Sequence, residues 1–219
     1  IADVYREMGV KVAIGGIHAS MLPEEAMQHA DSVVVGEAET IWPKVLGDAD
    51  AGRLEPLYRV EERDDFRNPL HARNSIIDRG NYWMANNMQT SRGCPHDCSF
   101  CSVTTFNGRH MRHREIDNVL AEIETMSKPR FMPKKMIPFV DDNIAANPKR
   151  AKELFKALIP LNINWGSQAC ISFGEDEELV SLAAESGCRM LFIGLETISS
   201  SALQEAGKRQ NRVERYAES

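Results

Sequence analysis

The chain alternates short apolar runs with stretches in which apolar residues recur every three or four positions. That is the pattern of strands alternating with amphipathic helices. Residues 2–8 read as the end of a helix stopped by Gly9. Residues 10–14 predict a strand that runs into Gly15-Gly16. Pro23, Glu24 and Glu25 suit the first turn of a helix over 23–30. Residues 32–35 predict a buried strand closed by Gly36, and 38–46 a helix that Pro43 would distort. Residues 53–60 are a further candidate strand. After residue 86 the alternation becomes regular. Strands are predicted over 87–91, 136–140, 163–167 and 189–196. Between them come helices over 116–127, 148–159 and 175–186, and another starts near Ser200. Ile116, Val119, Leu120, Ile123 and Met126 share one helical face, Asn147 and Pro148 suit an N-cap and first position, and Gly187 suits a stop.

Strands alternating with helices imply an α/β fold with parallel sheets and right-handed crossovers. The first series predicts a doubly wound sheet. The second predicts four βα units of a parallel TIM-type barrel. Between them, 61–65 is a charged run, and 66–84, with Pro69, Gly80, Tyr82 and Trp83, reads as a connection packed on the following domain. The implied domains are 1–50, a linker over 51–86, and 87–219. In such folds ligands bind where strands end. Polar groups collect at those ends: Asp141-Asp142-Asn143, Ser167-Gln168, Glu196-Thr197, and a cysteine loop after the strand at 87–91.

Composition narrows the class. The 219 residues are 42% hydrophobic and 26% charged, as in a globular protein. A net charge of −6 gives no reason to expect nucleic acid. No apolar run reaches the ~20 residues of a membrane span, and no secretory signal opens the chain. Reduced cysteines and a cytoplasmic location are the expectation. The chain begins with Ile1 inside a helical pattern and ends in another, over 212–219, which predicts a piece of a longer protein.

Three of the five cysteines, Cys94, Cys98 and Cys101, fall within eight residues. Thiolates this close repel, and a cation between them removes that cost. Several readings compete. The spacing i, i+4, i+7 would put three small apolar side chains on one helical face, but Gly93 and Pro95 mark a turn there. A disulfide suits an odd triplet poorly. Zinc wants a fourth ligand, which His96, His110 or His113 could supply. An iron–sulfur cluster held by three thiolates would leave one iron open.

Cys94-x-x-x-Cys98-x-Phe100-Cys101 resembles the signature of radical S-adenosylmethionine (SAM) enzymes. The string Gly15-Gly16-Ile17-His18-Ala19-Ser20, with Pro23-Glu24-Glu25 and Val34-Val35-Gly36-Glu37-Ala38-Glu39, resembles the second half of the cobalamin-binding domain that precedes the radical SAM core in one subgroup. The resemblance implies the C-terminal half of a Rossmann-like cobalamin domain, followed by a barrel truncated after about four βα units. It implies a [4Fe-4S] cluster on Cys94, Cys98 and Cys101. SAM would be contacted by Phe100 at adenine, by Asp141, Asp142 and Asn143 at its amino group, and by Glu196 at ribose or the methionyl part. Gly15 and Gly16 would lie near the nucleotide tail of cobalamin, which only the full-length protein would hold. His18 is expected to be a solvated loop residue, and Cys170 and Cys188 buried structural thiols. The implied chemistry is reductive cleavage of SAM to a 5′-deoxyadenosyl radical, with an electron donor such as flavodoxin or ferredoxin. The substrate would be a small molecule or lipid. Cobalamin-dependent methyl transfer to an unactivated carbon leads, with radical rearrangement or ring closure as the enzymatic alternative and a zinc-stabilised binding module as the non-enzymatic one. No catalytic residue is assigned from the sequence.

Overall fold

A computed structural model describes residues 1–78, 81–82, 84–128 and 134–217. The chain divides into two units, residues 1–65 and 66–219. Gly80 and Trp83 lie outside the described residues, as do the last two residues of the helical pattern expected over 212–219, where the described part is a 3-10 turn at Val213–Arg215.

In the first unit, β1 (Ala13–Ile14), β2 (Ser32–Val35) and β3 (Leu57–Arg59) form a parallel sheet in that order. The expected parallel βαβ pattern is therefore present, and β3 lies inside the stretch read as a linker. Helix α1 (Ala2–Glu7) precedes β1, and α2 (Ile17–Met21) and α3 (Pro23–His29) connect β1 to β2. Strand β2 is apolar from Val33 to Val35 because both its faces are covered. Val33 packs with Ala19, Ala26 and Ala30, and Val34 packs with Val45 and Tyr58 on the opposite side. The helix expected over 38–46 is displaced to α4 (Trp42–Asp50). Pro43 decides this: without an N–H it fits the first turn, where no partner is needed, and not the interior. Asp48 ties α4 to β3, accepting from Arg53 at 2.9 Å and from the Tyr58 hydroxyl at 3.0 Å.

The second unit is built on β6 (Met136–Pro138), β7 (Asn164–Ala169) and β8 (Cys188–Ile193), parallel and in that order. Met88 makes a parallel bridge to Phe139: its N–H donates to Pro138 O at 3.1 Å, and its carbonyl accepts from Val140 N at 2.9 Å. The segment entering the cysteine loop thus runs beside β6. The rest of the strand expected over 87–91 differs. Ser91–Arg92 form β4, which pairs antiparallel with β5 (Arg112–His113). Helices α6 (Ile116–Thr125), α7 (Pro148–Leu158) and α8 (Glu177–Glu185) supply the apolar cover. On α7, Ala151, Leu154, Phe155 and Leu158 recur at helical spacing and are buried. Asn147 caps it, accepting from Arg150 N at 3.2 Å. Trp165 on β7 is the centre of the core, 4.9 Å from the Phe155 ring and 5.6 Å from Phe139. Its indole N–H donates to Ser186 Oγ at 3.1 Å, so the ring is buried with no orphaned donor. Ahead of the sheet, the 66–76 segment straps onto α6. Arg67 O accepts from Glu115 N at 2.8 Å, and Asn74 Nδ2 donates to Thr125 Oγ1 at 3.1 Å. No helix among the described residues is long and apolar enough to cross a membrane.

Candidate functional site

The cysteine loop leaves β4 through Gly93, whose φ of +96° is strained for any residue with a side chain. A Cβ there would stand 2.6 Å from His110 O and 3.0 Å from Gly108 O. The close approach lets Cys94 N donate to Gly108 O at 3.3 Å. Residues 93–101 are turn and irregular backbone, and the next helix, α5 (Val103–Phe106), begins beyond the last cysteine. The three thiols therefore do not share a helix face. They border one cavity of about 330 Å³, which Phe100 also lines. The carboxyl ends of the strands contribute Asp142 and Asn143 after β6, Gln168 to Cys170 at β7, and Phe192, Ile193, Gly194 and Glu196 at and after β8.

Of the residues expected to meet SAM, Phe100, Asp142, Asn143 and Glu196 line this cavity, and Asp141 does not. Asp141 has no exposed surface. It accepts from Thr90 N at 2.6 Å, Thr90 Oγ1 at 2.5 Å and Ser91 Oγ at 2.8 Å. Burial pushes its carboxyl up from the ordinary value, and these donors pull the other way. Asp142 accepts from Gly93 N at 3.0 Å and Asn107 Nδ2 at 2.9 Å. The two adjacent acids thus fasten the backbone on either side of Arg92 to the end of β6, just before Cys94. Asn143 donates to Cys170 Sγ at 3.2 Å, and its buried Oδ1 has no protein partner. Gly15 and Gly16 belong to the first unit; Gly16 has φ +95° and caps α2, so His18 lies on a helix and not in a loop. His18 is exposed, 3.4 Å from Glu25.

Several cavity residues carry no signal in the sequence pattern. Lys208 and Gln210 follow helix α9 (Ser200–Glu205), off the strand ends altogether. Lys208 is 7% exposed, so its ammonium needs a partner, and Glu196 supplies one at 2.5 Å. The same ammonium lies 5.8 Å from the Phe100 ring centroid. Glu196 itself is held at φ +64°, outside the usual range for its type. Cys170 lines the cavity and is not a core thiol, whereas Cys188 packs against the core. Strand-end position was the signal that could have found Cys170.

Burial raises the Cys94 thiol, the His96 backbone N–H opposes that, and the nearby Asp142, Cys101 and Cys98 add to it. Burial, reinforced by Cys94, pushes Cys170 up to about 11. Burial lowers His96, and neighbouring Lys208 adds to the effect. Uncompensated, the Cys94 and Cys170 thiols stay protonated; a bound cation would reverse that at Cys94 by stabilising the thiolate. Among the described residues no three His, Cys, Asp or Glu side chains are gathered as around a single metal ion. The cysteines border a wider space, and their soft sulfur donors suit iron–sulfur chemistry.

Two parallel sheets, the second with thiols and polar side chains lining a cavity at its strand ends, define an α/β protein. The chain belongs to the Radical SAM superfamily, whose family profile matches residues 88–219. It is 32% identical over 227 residues to the bacteriochlorophyllide d C-12(1)-methyltransferase of Chlorobaculum tepidum, covering 99% of this chain and 48% of that protein. It is 25% identical over 220 residues to the hopanoid C-2 methylase of Rhodopseudomonas palustris, covering 94% of this chain and 40% of that protein. The chain thus spans about half the length, or less, of these relatives. Its fold matches that of TsrM from Kitasatospora setae, a radical SAM methyltransferase solved with cobalamin and a [4Fe-4S] cluster. The TM-score is 0.76 at 20% identity, over 96% of this chain and 48% of that one. The cobalamin-dependent radical enzyme OxsB matches with a TM-score of 0.75 at 18% identity, over 97% of this chain and 35% of that one.

Proposed function

We propose that this chain is part of a cobalamin-dependent radical SAM methyltransferase, in which Cys94, Cys98 and Cys101 hold a [4Fe-4S] cluster. The observation that carries the reading is that all three thiols line one cavity together with strand-end polar residues. Held by Cys94, Cys98 and Cys101, a cluster would supply the electron for reductive cleavage of SAM to methionine and a 5′-deoxyadenosyl radical. The protein's part is to hold and enclose the reactants. Asp141 and Asp142 fix the loop that carries the ligands. Asn143 and Glu196 offer oxygen acceptors toward the amino group or ribose of SAM, and Phe100 offers a face toward adenine. The Glu196–Lys208 pair keeps a charged carboxylate at the cavity without an unpaired buried ammonium.

In the same reading, the first unit is the C-terminal half of a doubly wound cobalamin-binding domain, with Gly15 and Gly16 near the nucleotide tail. The second unit is the first part of the family's parallel barrel. Methyl transfer is favoured over rearrangement by the names of relatives that methylate a tetrapyrrole and hopanoids, so the substrate class is a small molecule or lipid with an unactivated carbon. The electron donor is of the flavodoxin or ferredoxin type, and the location is cytoplasmic. The test is anoxic reconstitution of the complete protein with iron and sulfide. A broad absorbance in the visible blue that disappears in Cys98→Ala, together with 5′-deoxyadenosine formed from SAM, is expected. Stoichiometric zinc without that absorbance would sink the reading.

A further inference from the structure

Among the described residues of the cavity, Gln210 is the one whose side chain reaches both a motif thiol, Cys98, and Cys170 outside the motif. Its Nε2 lies 3.5 Å from Cys98 Sγ and 4.0 Å from Cys170 Sγ. A primary amide carries two N–H donors, so one group can serve two sulfurs. Its placement is built in. Ser99 N, inside the cysteine loop, donates to Ala206 O at 2.9 Å. Gly207 then passes the loop so closely, at φ +68°, that a Cβ would stand 2.7 Å from Asp97 O. Beyond Gln210, Asn211 Nδ2 donates to Gly194 O at 3.0 Å and Leu195 O at 3.2 Å. The segment 206–211 is therefore pinned to the cysteine loop at one end and to the residues after β8 at the other. Gln210 is carried between these two anchors.

We propose that Gln210 is a positioning residue of the cluster site, whose amide donates a hydrogen bond to the Cys98 sulfur and raises the cluster's reduction potential. This rests on the cluster reading above. A ligand sulfur gains negative charge when the cluster accepts an electron, so a donor aimed at it stabilises the reduced form more than the oxidised one. Hydrogen bonds to sulfur and net charge are among the settings of iron–sulfur potentials. Asp142 works in the opposite sense, as a carboxylate beside Cys94. Gln210 offsets it from the other side of the loop without adding a charge.

The test uses the complete protein, reconstituted anoxically, with the cluster titrated potentiometrically and followed by electron paramagnetic resonance. Gln210→Met keeps the length and removes the donor; its midpoint is expected to shift negative with iron content unchanged. Gln210→Glu sets a carboxylate toward the sulfur and is expected to shift it further. Arg209→Lys, exposed on the same segment and without a change of charge, leaves it in place. An unmoved midpoint in a fully loaded Gln210→Met protein overturns the proposal. So does failure of both Gln210 variants to retain iron, which makes the residue a structural support only. Absence of a cluster in the wild-type protein removes the underlying reading as well, and iron and sulfide analysis distinguishes that case.

Discussion

Replacing Asp141 tests whether the loop's anchor, and not a SAM contact, is what that carboxylate provides. Its side chain is wholly buried and accepts from the Thr90 N–H, the Thr90 hydroxyl and the Ser91 hydroxyl. In Asp141→Ala the two hydroxyls can rotate toward other acceptors, but the Thr90 N–H is fixed by the backbone. An orphaned buried donor costs about 1–3 kcal/mol, and the cavity left by the carboxylate adds to it. Relief of the carboxyl's desolvation cost offsets part of this. The expected net loss is about 3 kcal/mol for Asp141→Ala and about 1 kcal/mol for Asp141→Asn, which keeps one acceptor oxygen. Against a whole-domain stability of about 5–15 kcal/mol, the first value is large. Urea unfolding of the cluster-free protein, followed by circular dichroism, measures both. The loss should fall on stability and on iron retention, with SAM affinity of the loaded fraction unchanged. Equal stabilities for wild type and Asp141→Ala, or a loaded Asp141→Ala protein that has lost only SAM affinity, would refute the reasoning.

Gly93→Ala places a methyl group 2.6 Å from His110 O while demanding φ +96° of an L residue. A destabilisation of about 2–3 kcal/mol and reduced iron uptake are expected, read by the same denaturation series and by iron analysis. Cys170 is predicted to be a slow nucleophile in the cluster-free protein. Burial raises its thiol to about 11, so below that pH only a small fraction is the reacting thiolate. Alkylation by iodoacetamide at pH 8 should be about 200-fold slower than for an ordinary cysteine, rising about tenfold per pH unit until near pH 11. Peptide mass spectrometry across pH measures this, and a rate at pH 8 equal to that of a free cysteine contradicts it.

Much of the scaffold is written locally. Asn147-Pro148 announces the start of α7, and the i, i+3, i+4, i+7 pattern of Ala151, Leu154, Phe155 and Leu158 names its buried face. The run Val33-Val34-Val35 reads as a strand covered on both sides because both its faces are in fact covered. The three motif thiols, Cys94, Cys98 and Cys101, are legible because their spacing is short. Other features depend on partners distant in the chain. A two-residue strand such as β4 exists only because Arg112 and His113 come to lie beside it. Asp141 and Asp142 are identical side chains one position apart, and nothing local says which faces inward. Lys208 and Gln210 reach the cavity through a turn after α9 whose path is set by contacts with the cysteine loop. Pro43 misled in a different way, since the same residue that breaks a helix inside also starts one.

The Asp141-Asp142-Asn143 step has a consequence for how this stretch can vary. Three successive residues face three separate clients: the strand entering the loop, the turn at Gly93, and the thiol of Cys170. Substituting one disturbs one client. Inserting or deleting a residue after Phe139 turns all three away together and delivers the wrong side chain to each. Sequence drift can be absorbed here one position at a time, but a change in length cannot, and this short segment fixes the spacing between sheet and site.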